Sequence, residues 1–251
     1  MPEQSQLCAN SWHWLNLYDL SASPDKKSWQ SVNWQHADLI LFDLDGTLVD
    51  SVPDLALAID CMLHDTGLPP AGEDKVRQWV GNGAAKLVAR ALADAQNISE
   101  EQLVPAQQST AFTSFMHHYH QTNGINSLLF TGVKEFLDAC QQHSIKMAVV
   151  TNKPIEFTHT LLEKLSIQHY FCDVAGGDSF AEKKPHPMPL QKLIQRNQSQ
   201  RPIMIGDSMH DVQAARAAKV PVICVSYGYN HGVDISLSKP DLVVDSLAGL
   251  R

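Results

Sequence analysis

The stretch Asp38-Leu39-Ile40-Leu41-Phe42-Asp43-Leu44-Asp45-Gly46-Thr47-Leu48-Val49-Asp50 decides the fold. Its apolar half reads as a short buried strand over 38–43, and it runs out into a Gly-Thr turn. Asp43 and Asp45 stand two residues apart where the strand ends. Carboxylates so placed repel each other and are poorly solvated unless a cation or a positively charged partner sits between them. The pattern points to a divalent-metal site beside an Asp able to act as a nucleophile. Asp-Gly is also a common turn signal, so the stretch alone fits a strand followed by an acidic turn.

Residues 51–122 change character. Ser51-Val-Pro-Asp54 reads as a helix start, with Leu55, Ile59, Met62 and Leu63 at helical spacing and a stop near Gly67-Leu-Pro-Pro70. A second helix is predicted over 73–80. Gly81-Asn82-Gly83 breaks it, and Leu87, Val88, Ala91 and Leu92 mark a third. Ser99-Glu-Glu-Gln102 has capping-box form and is read as opening a fourth helix, with Phe112, Phe115, Met116 and Tyr119 on one face. No strand is expected in this block.

From about 126 onward, apolar strands alternate with amphipathic helices. Strands are predicted at 146–150, 172–175, 202–205, 221–225 and 242–244. The helices between them are predicted at 133–143, 155–165, 187–197 and 209–219. This is the pattern of a parallel sheet covered on both faces. The predicted organisation is an α/β, Rossmann-like parallel-sheet core (37–50 and 125–251) interrupted after its first strand by an α-helical insertion (51–124). Ligands of such sheets sit beyond the carboxyl ends of the strands.

Three further segments fall at strand ends. Thr151-Asn152-Lys153-Pro154 fits a phosphate cradle before a helix N-terminus, and equally a plain helix cap with Lys153 in solvent. In Lys183-Lys184-Pro185-His186-Pro187 the prolines restrict the backbone and aim Lys184 at a fixed point, although surface lysines on a loop fit too. Gly206-Asp207-Ser208-Met209-His210-Asp211 places Asp207 at a strand end and Asp211 one helical turn on, where both can reach a hard cation; the plainer reading is a helix cap and a first-turn acid, with His210 a bystander.

Composition narrows the function classes. The chain has 251 residues and a net charge of −8, with Lys and Arg scattered, so no basic nucleic-acid face is expected. The five cysteines are far apart and form no C-x-x-C, which argues against a disulfide framework or a zinc site and fits a reducing, cytoplasmic setting. No apolar run reaches the length of a membrane span. Residues 1–36 hold four of the five tryptophans and no signal or transit pattern; they read as a partly ordered extension. His117, His118 and His120 have poor single-face spacing for metal ligands, and Arg90 reads as a solvated helix residue.

Taken together, Asp43-x-Asp45-Gly46-Thr47-Leu48, Thr151-Asn152-Lys153, Lys184-Pro185 and Gly206-Asp207-Ser208-x-x-Asp211 resemble the haloacid dehalogenase superfamily of phosphatases over about 38 to 245. Trp79-Val-Gly-Asn-Gly-Ala84, Gly176-Gly-Asp178, Lys183 to Pro187 and Tyr227-Gly-Tyr-Asn230 narrow the resemblance to members acting on 2-phosphoglycolate. The resemblance implies a helical cap domain, a small phosphorylated metabolite as substrate, Mg²⁺ as cofactor, and transfer through an aspartyl-phosphate. It implies Asp43 as nucleophile and Asp45 as general acid and base. The ion would be held by Asp43, the Asp45 carbonyl and Asp207, with Asp211 orienting waters or Lys184. Thr151, Asn152 and Lys184 would grip the phosphoryl group, and Thr47 would add a substrate contact. Gly81, Asn82 and Gly83 are the candidate contact loop of the cap, since glycines permit close backbone approach.

The chain departs from the family pattern in the tryptophan-bearing extension, in Thr131-Gly132 where Pro-Gly is common, and in a short or missing closing helix after 242–244. A dehalogenase on the same fold needs neither Asp45 nor the metal carboxylates. A phosphohexose mutase would share every core motif. A non-catalytic phosphate binder and a phospho-aspartate receiver fit the full residue set less well. A monomer and a homodimer are both compatible with the sequence.

Overall fold

The structure, a computed structural model, describes residues 32–250. The segment through residue 31, with most of the expected extension, lies outside the described residues. Trp34, at the end of that expected extension, is buried and packs edge-on against Phe136.

Six parallel strands form the sheet: β1 (Leu39–Phe42), β4 (Lys146–Val150), β5 (Asp173–Ala175), β6 (Pro202–Gly206), β7 (Val222–Val225) and β8 (Leu242–Val244). Their order is β5-β4-β1-β6-β7-β8, with β1 between β4 and β6. Leu39, Ile40, Leu41 and Phe42 are all fully buried, because a central parallel strand has helices on both faces. The period of two still sorts them. Ile40 and Phe42 join the core on one face with Val149, Ile205 and helix α5 (Val133–Gln142). Leu39 and Leu41 join the other with Met204, α7 (Met188–Asn197) and α8 (Met209–Ala218). Each such side chain contributes roughly 1.5–3 kcal/mol of burial. Helix α6 (Ile155–Lys164) follows β4 on the first face.

Between β2 (Val49–Asp50) and β3 (Leu128–Leu129) lie four helices: α1 (Val52–Asp65), α2 (Glu73–Trp79), α3 (Ala84–Gln96) and α4 (Pro105–Thr122). They enclose a core of their own, centred on Ile59, Met62, Leu92 and Phe115. Tyr229 and Phe157 from the sheet side pack into it.

The structure adds one element that the sequence pattern does not show and corrects one local reading. β2 and β3 form an antiparallel pair that clasps the two chain crossings into the helical insert. Two-residue strands are too short to show periodicity. The Ser99–Gln102 capping box closes a 3₁₀ turn over Glu100–Gln102, and α4 starts later, with Pro105 at its first position. After β8 the chain makes only a 3₁₀ turn over Leu247–Gly249, but Leu247 is fully buried against the first-face core.

Candidate active site

Because β1, β4 and β6 are parallel neighbours, the residues that follow them meet at one edge. Asp43 follows β1, Thr151 follows β4 and Asp207 follows β6. Lys184 reaches in from the loop after β5, with its backbone carbonyl held by Asn152 Nδ2 at 3.0 Å.

Lys184 Nζ lies 2.8 Å from Asp43 Oδ1 and 2.6 Å from Asp211 Oδ1, and the lysine is only 3% exposed. The other Asp211 oxygen accepts from Ser208 Oγ (2.7 Å) and from the Ser208 and Asp207 N–H groups. Asp207 accepts from Thr47 Oγ1 at 2.7 Å and from the Tyr229 N–H at 2.6 Å. Thr47, expected as a substrate contact, is fully buried, and its hydroxyl donates to Asp207 and so orients that carboxylate. Gly46 is required here. Its φ is +90°, and a Cβ would stand 2.4 Å from Asp207 Oδ2.

Asp43, Asp207 and Asp211 present carboxylate oxygens within 4.8 Å of one another, all buried. Burial pushes the Asp43 carboxyl up to about 7 despite the opposing Lys184 ammonium. Burial, then the neighbouring Asp43 and Asp211, push Asp207 well above the usual carboxylate range. Three hard oxygen donors with a single ammonium between them are short of positive charge. The donor set fits a divalent cation such as Mg²⁺.

Asp45 is not in that cluster. Its carboxylate turns away to accept from Ser51 Oγ at 2.6 Å and pairs with Lys153 Nζ at 3.1 Å. Lys153 also donates to the Tyr119 hydroxyl of α4. The reading of Lys153 as solvated is therefore corrected: it is 6% exposed. Burial pulls its ammonium down, but Asp45 and Tyr119 outweigh that and hold it above the usual lysine range.

The cavity above the carboxylates leaves about 50 Å³, room for a small group displacing a few waters. Asp43, Asp45, Thr151, Asn152, Lys153 and Lys184 line its floor. Gly81 and Gly83 enter its wall from the insert, with Leu55, Val80, Leu87 and Phe115. Asn82 does not line it. Its Nδ2 lies 2.9 Å from His210 Nε2, so the loop is tied to α8 through the histidine read as a bystander. Asn152 Nδ2 to Gly81 O (3.2 Å) and Lys183 Nζ to Asn82 O (3.2 Å) complete the bridge between insert and sheet. Arg90 is not simply solvated: it is partly buried and donates to the Trp79 carbonyl. The sequence places Lys153 in a strand-end motif and Tyr119 on a helix face, but nothing in it pairs them with each other or with Asp45, because the partners are distant in the chain.

Comparison with known proteins agrees with this geometry. Residues 40–225 match the family model described as haloacid dehalogenase-like hydrolase. The phosphoglycolate phosphatase of Nitrosococcus oceani is 45% identical over 216 residues, covering 85% of this chain and 95% of that protein. That of Vibrio vulnificus is 46% identical over 218 residues, covering 86% and 95%. The crystal structure of a predicted phosphoglycolate phosphatase from Haemophilus somnus superposes with a TM-score of 0.80 at 39% identity, covering 85% of this chain and 96% of that one. With a family match spanning most of the chain and the motif residues gathered at one sheet edge, the chain belongs to the haloacid dehalogenase-like hydrolase family and is similar to its phosphoglycolate phosphatases.

Proposed function

We propose that this protein is a Mg²⁺-dependent phosphatase of small phosphate monoesters, with 2-phosphoglycolate as the preferred substrate, working through an aspartyl-phosphate on Asp43. One observation carries the reading. Asp43 lies in the carboxylate cluster against Lys184, whereas Asp45, two residues on, faces away from the cluster into the same cavity. Two carboxylates in different environments suit two roles at one pH.

Asp43, Asp207 and Asp211 would hold the ion, with Asp45 contributing only its main-chain carbonyl. When bound, the ion supplies positive charge beside the phosphoryl oxygens and the nucleophile. An Asp43 oxygen attacks phosphorus as the ester P–O bond breaks, and Asp45 gives its proton to the leaving alkoxide. Asp45 then takes a proton from water, the water oxygen attacks phosphorus, and the Asp43–phosphorus bond breaks to release phosphate. Lys184, Thr151 and the Asn152 N–H bind the phosphoryl oxygens throughout. The four-helix insert acts as a cap domain, closing through Gly81–Gly83 to exclude water from the first step.

The test is release of free phosphate from a panel of small esters led by 2-phosphoglycolate, with Mg²⁺ and with EDTA. The reading expects Mg²⁺-dependent turnover that favours 2-phosphoglycolate. Turnover spread evenly over other esters would remove the substrate assignment. Turnover of Asp45→Asn comparable to wild type would remove the acid–base role of Asp45.

A further inference from the structure

The cavity holds a second buried ammonium that binding the phosphoryl group does not need. Lys184 is committed to Asp43 and Asp211 at the phosphoryl end. Lys153 lies on the other side, beside Asp45, where the alcohol portion of a substrate leaves. Its side chain is 3% exposed, and it lines the cavity. An ammonium has three N–H donors. Among the described residues, Lys153 donates to Asp45 Oδ1 at 3.1 Å, more loosely to Asp45 Oδ2 at 3.4 Å, and to the Tyr119 hydroxyl, so only the long second contact to Asp45 need be given up for a further acceptor. Asp45 is already oriented by Ser51 Oγ at 2.6 Å, so Lys153 is not its only anchor.

The cavity that Lys153 lines is walled in part by the apolar side chains of Leu55, Leu87, Phe115 and Phe157. An anionic group on the alcohol portion of a substrate would have to leave water among them. Burying a charge there is costly unless a cation pairs with it. Among the described residues that line the cavity, Lys153 is the cation beside Asp45.

We infer that Lys153, braced by Tyr119, is the specificity-determining residue of this site, selecting phosphate esters whose alcohol portion carries a carboxylate next to the ester oxygen. The inference rests on the phosphatase reading above and goes beyond it in naming what is recognised and by which atom. Tyr119 comes from α4 and Lys153 from the turn after β4, so the carboxylate is gripped where insert and sheet meet. A substrate with a neutral alcohol portion leaves Lys153 on Asp45 and gains nothing from it.

The experiment compares 2-phosphoglycolate with 2-hydroxyethyl phosphate, an ester of similar size without the carboxylate. Phosphate release is followed with Mg²⁺ for wild type, Lys153→Met and Tyr119→Phe. Wild type is expected to favour the carboxylated ester in kcat/KM. Lys153→Met should reduce that preference on the order of 10²-fold, the scale for removing one partner of a buried charge pair, and part of the loss should appear as a raised KM. Tyr119→Phe should reduce the preference several-fold. An equal loss on both esters would overturn the inference and leave Lys153 as a positioning residue for Asp45. A wild type with no preference for the carboxylated ester would overturn it as well. If Lys153→Met does not fold, as judged by circular dichroism, the Tyr119→Phe ratio decides, and an unchanged ratio overturns the inference. No release from either ester by folded wild-type protein would overturn the phosphatase reading itself, and the role of Lys153 with it.

Discussion

Asp54 supports a quantitative prediction about what holds the helical insert to the sheet. It sits in the first turn of α1 and is fully buried. Its Oδ2 accepts from the N–H groups of Gly124 (2.8 Å), Ile125 (3.2 Å) and Ser127 (3.0 Å) and from Ser127 Oγ; its Oδ1 accepts from the Asn126 N–H at 2.8 Å. One carboxylate thus fastens the chain entering the insert to the chain leaving it. Asp54→Asn keeps the shape. The amide oxygen can take the Oδ2 place, but the NH₂ then faces the Asn126 N–H. One hydrogen bond to a charged acceptor is lost, worth about 1.5–3 kcal/mol, and the others drop from charged to neutral acceptors. The expected loss is about 3 kcal/mol, which for a chain of this size lowers Tm by about 6–12 °C. Asp60→Asn is the control. Asp60 is only partly buried and accepts two backbone N–H groups, from Ala71 and Gly72, so about 1 kcal/mol and 2–4 °C are expected. Thermal unfolding by circular dichroism reads both. An Asp54→Asn Tm within about 2 °C of wild type, or a shift no larger than that of Asp60→Asn, would refute the reasoning.

Three further outcomes follow from the site and the core. Lys184→Met leaves Asp43 and Asp211 buried without their cation and should cost about 3–5 kcal/mol of stability by denaturant titration without Mg²⁺, with turnover abolished. Gly46→Ala puts a Cβ at φ +90° within 2.4 Å of Asp207 Oδ2, and should lower kcat about 10²-fold in steady-state phosphate release and lower Tm clearly as well. Burial pushes the Asp38 carboxyl up, but hydrogen bonds from Ser199 and the Gln200 and Arg201 N–H groups outweigh this and hold it below its ordinary value. A depressed folded pKa adds stability above the unfolded value of 3.8, lost as pH falls through the folded one. Asp38→Asn should therefore destabilise the protein at pH 7 and leave it little changed against wild type in strong acid, as read by denaturant midpoints at several pH values.

Much of this architecture is legible in the sequence because its signals are local. The apolar run before Asp43, the strand–helix alternation after 126 and the chemistry clustered at strand ends suffice to place Asp43, Asp207, Asp211 and Lys184 at one sheet edge. What escapes is non-local or short. Lys153 reads as a surface residue beside Pro154 until Asp45 and Tyr119, 108 and 34 positions away, are seen around it. Thr47 lies within the leading motif, yet its partner is Asp207, 160 positions on. The Ser99 capping box is real but caps a single 3₁₀ turn, because Leu103 and Val104 are extended and Pro105 starts the next helix. The β2–β3 pair offers two residues per strand, fewer than any periodicity needs.

The most direct test of the central claim, that Asp43 carries the phosphoryl group between the two steps, is a rapid acid quench of a single turnover. Wild-type protein is mixed with 2-phosphoglycolate and Mg²⁺, then digested and mapped by mass spectrometry. The account predicts one phosphoryl group on the peptide containing Asp43, present with Mg²⁺, absent with EDTA and absent in Asp43→Asn. Phosphate released at full rate by Asp43→Asn, or a phosphoryl group mapped to any other residue, would contradict it.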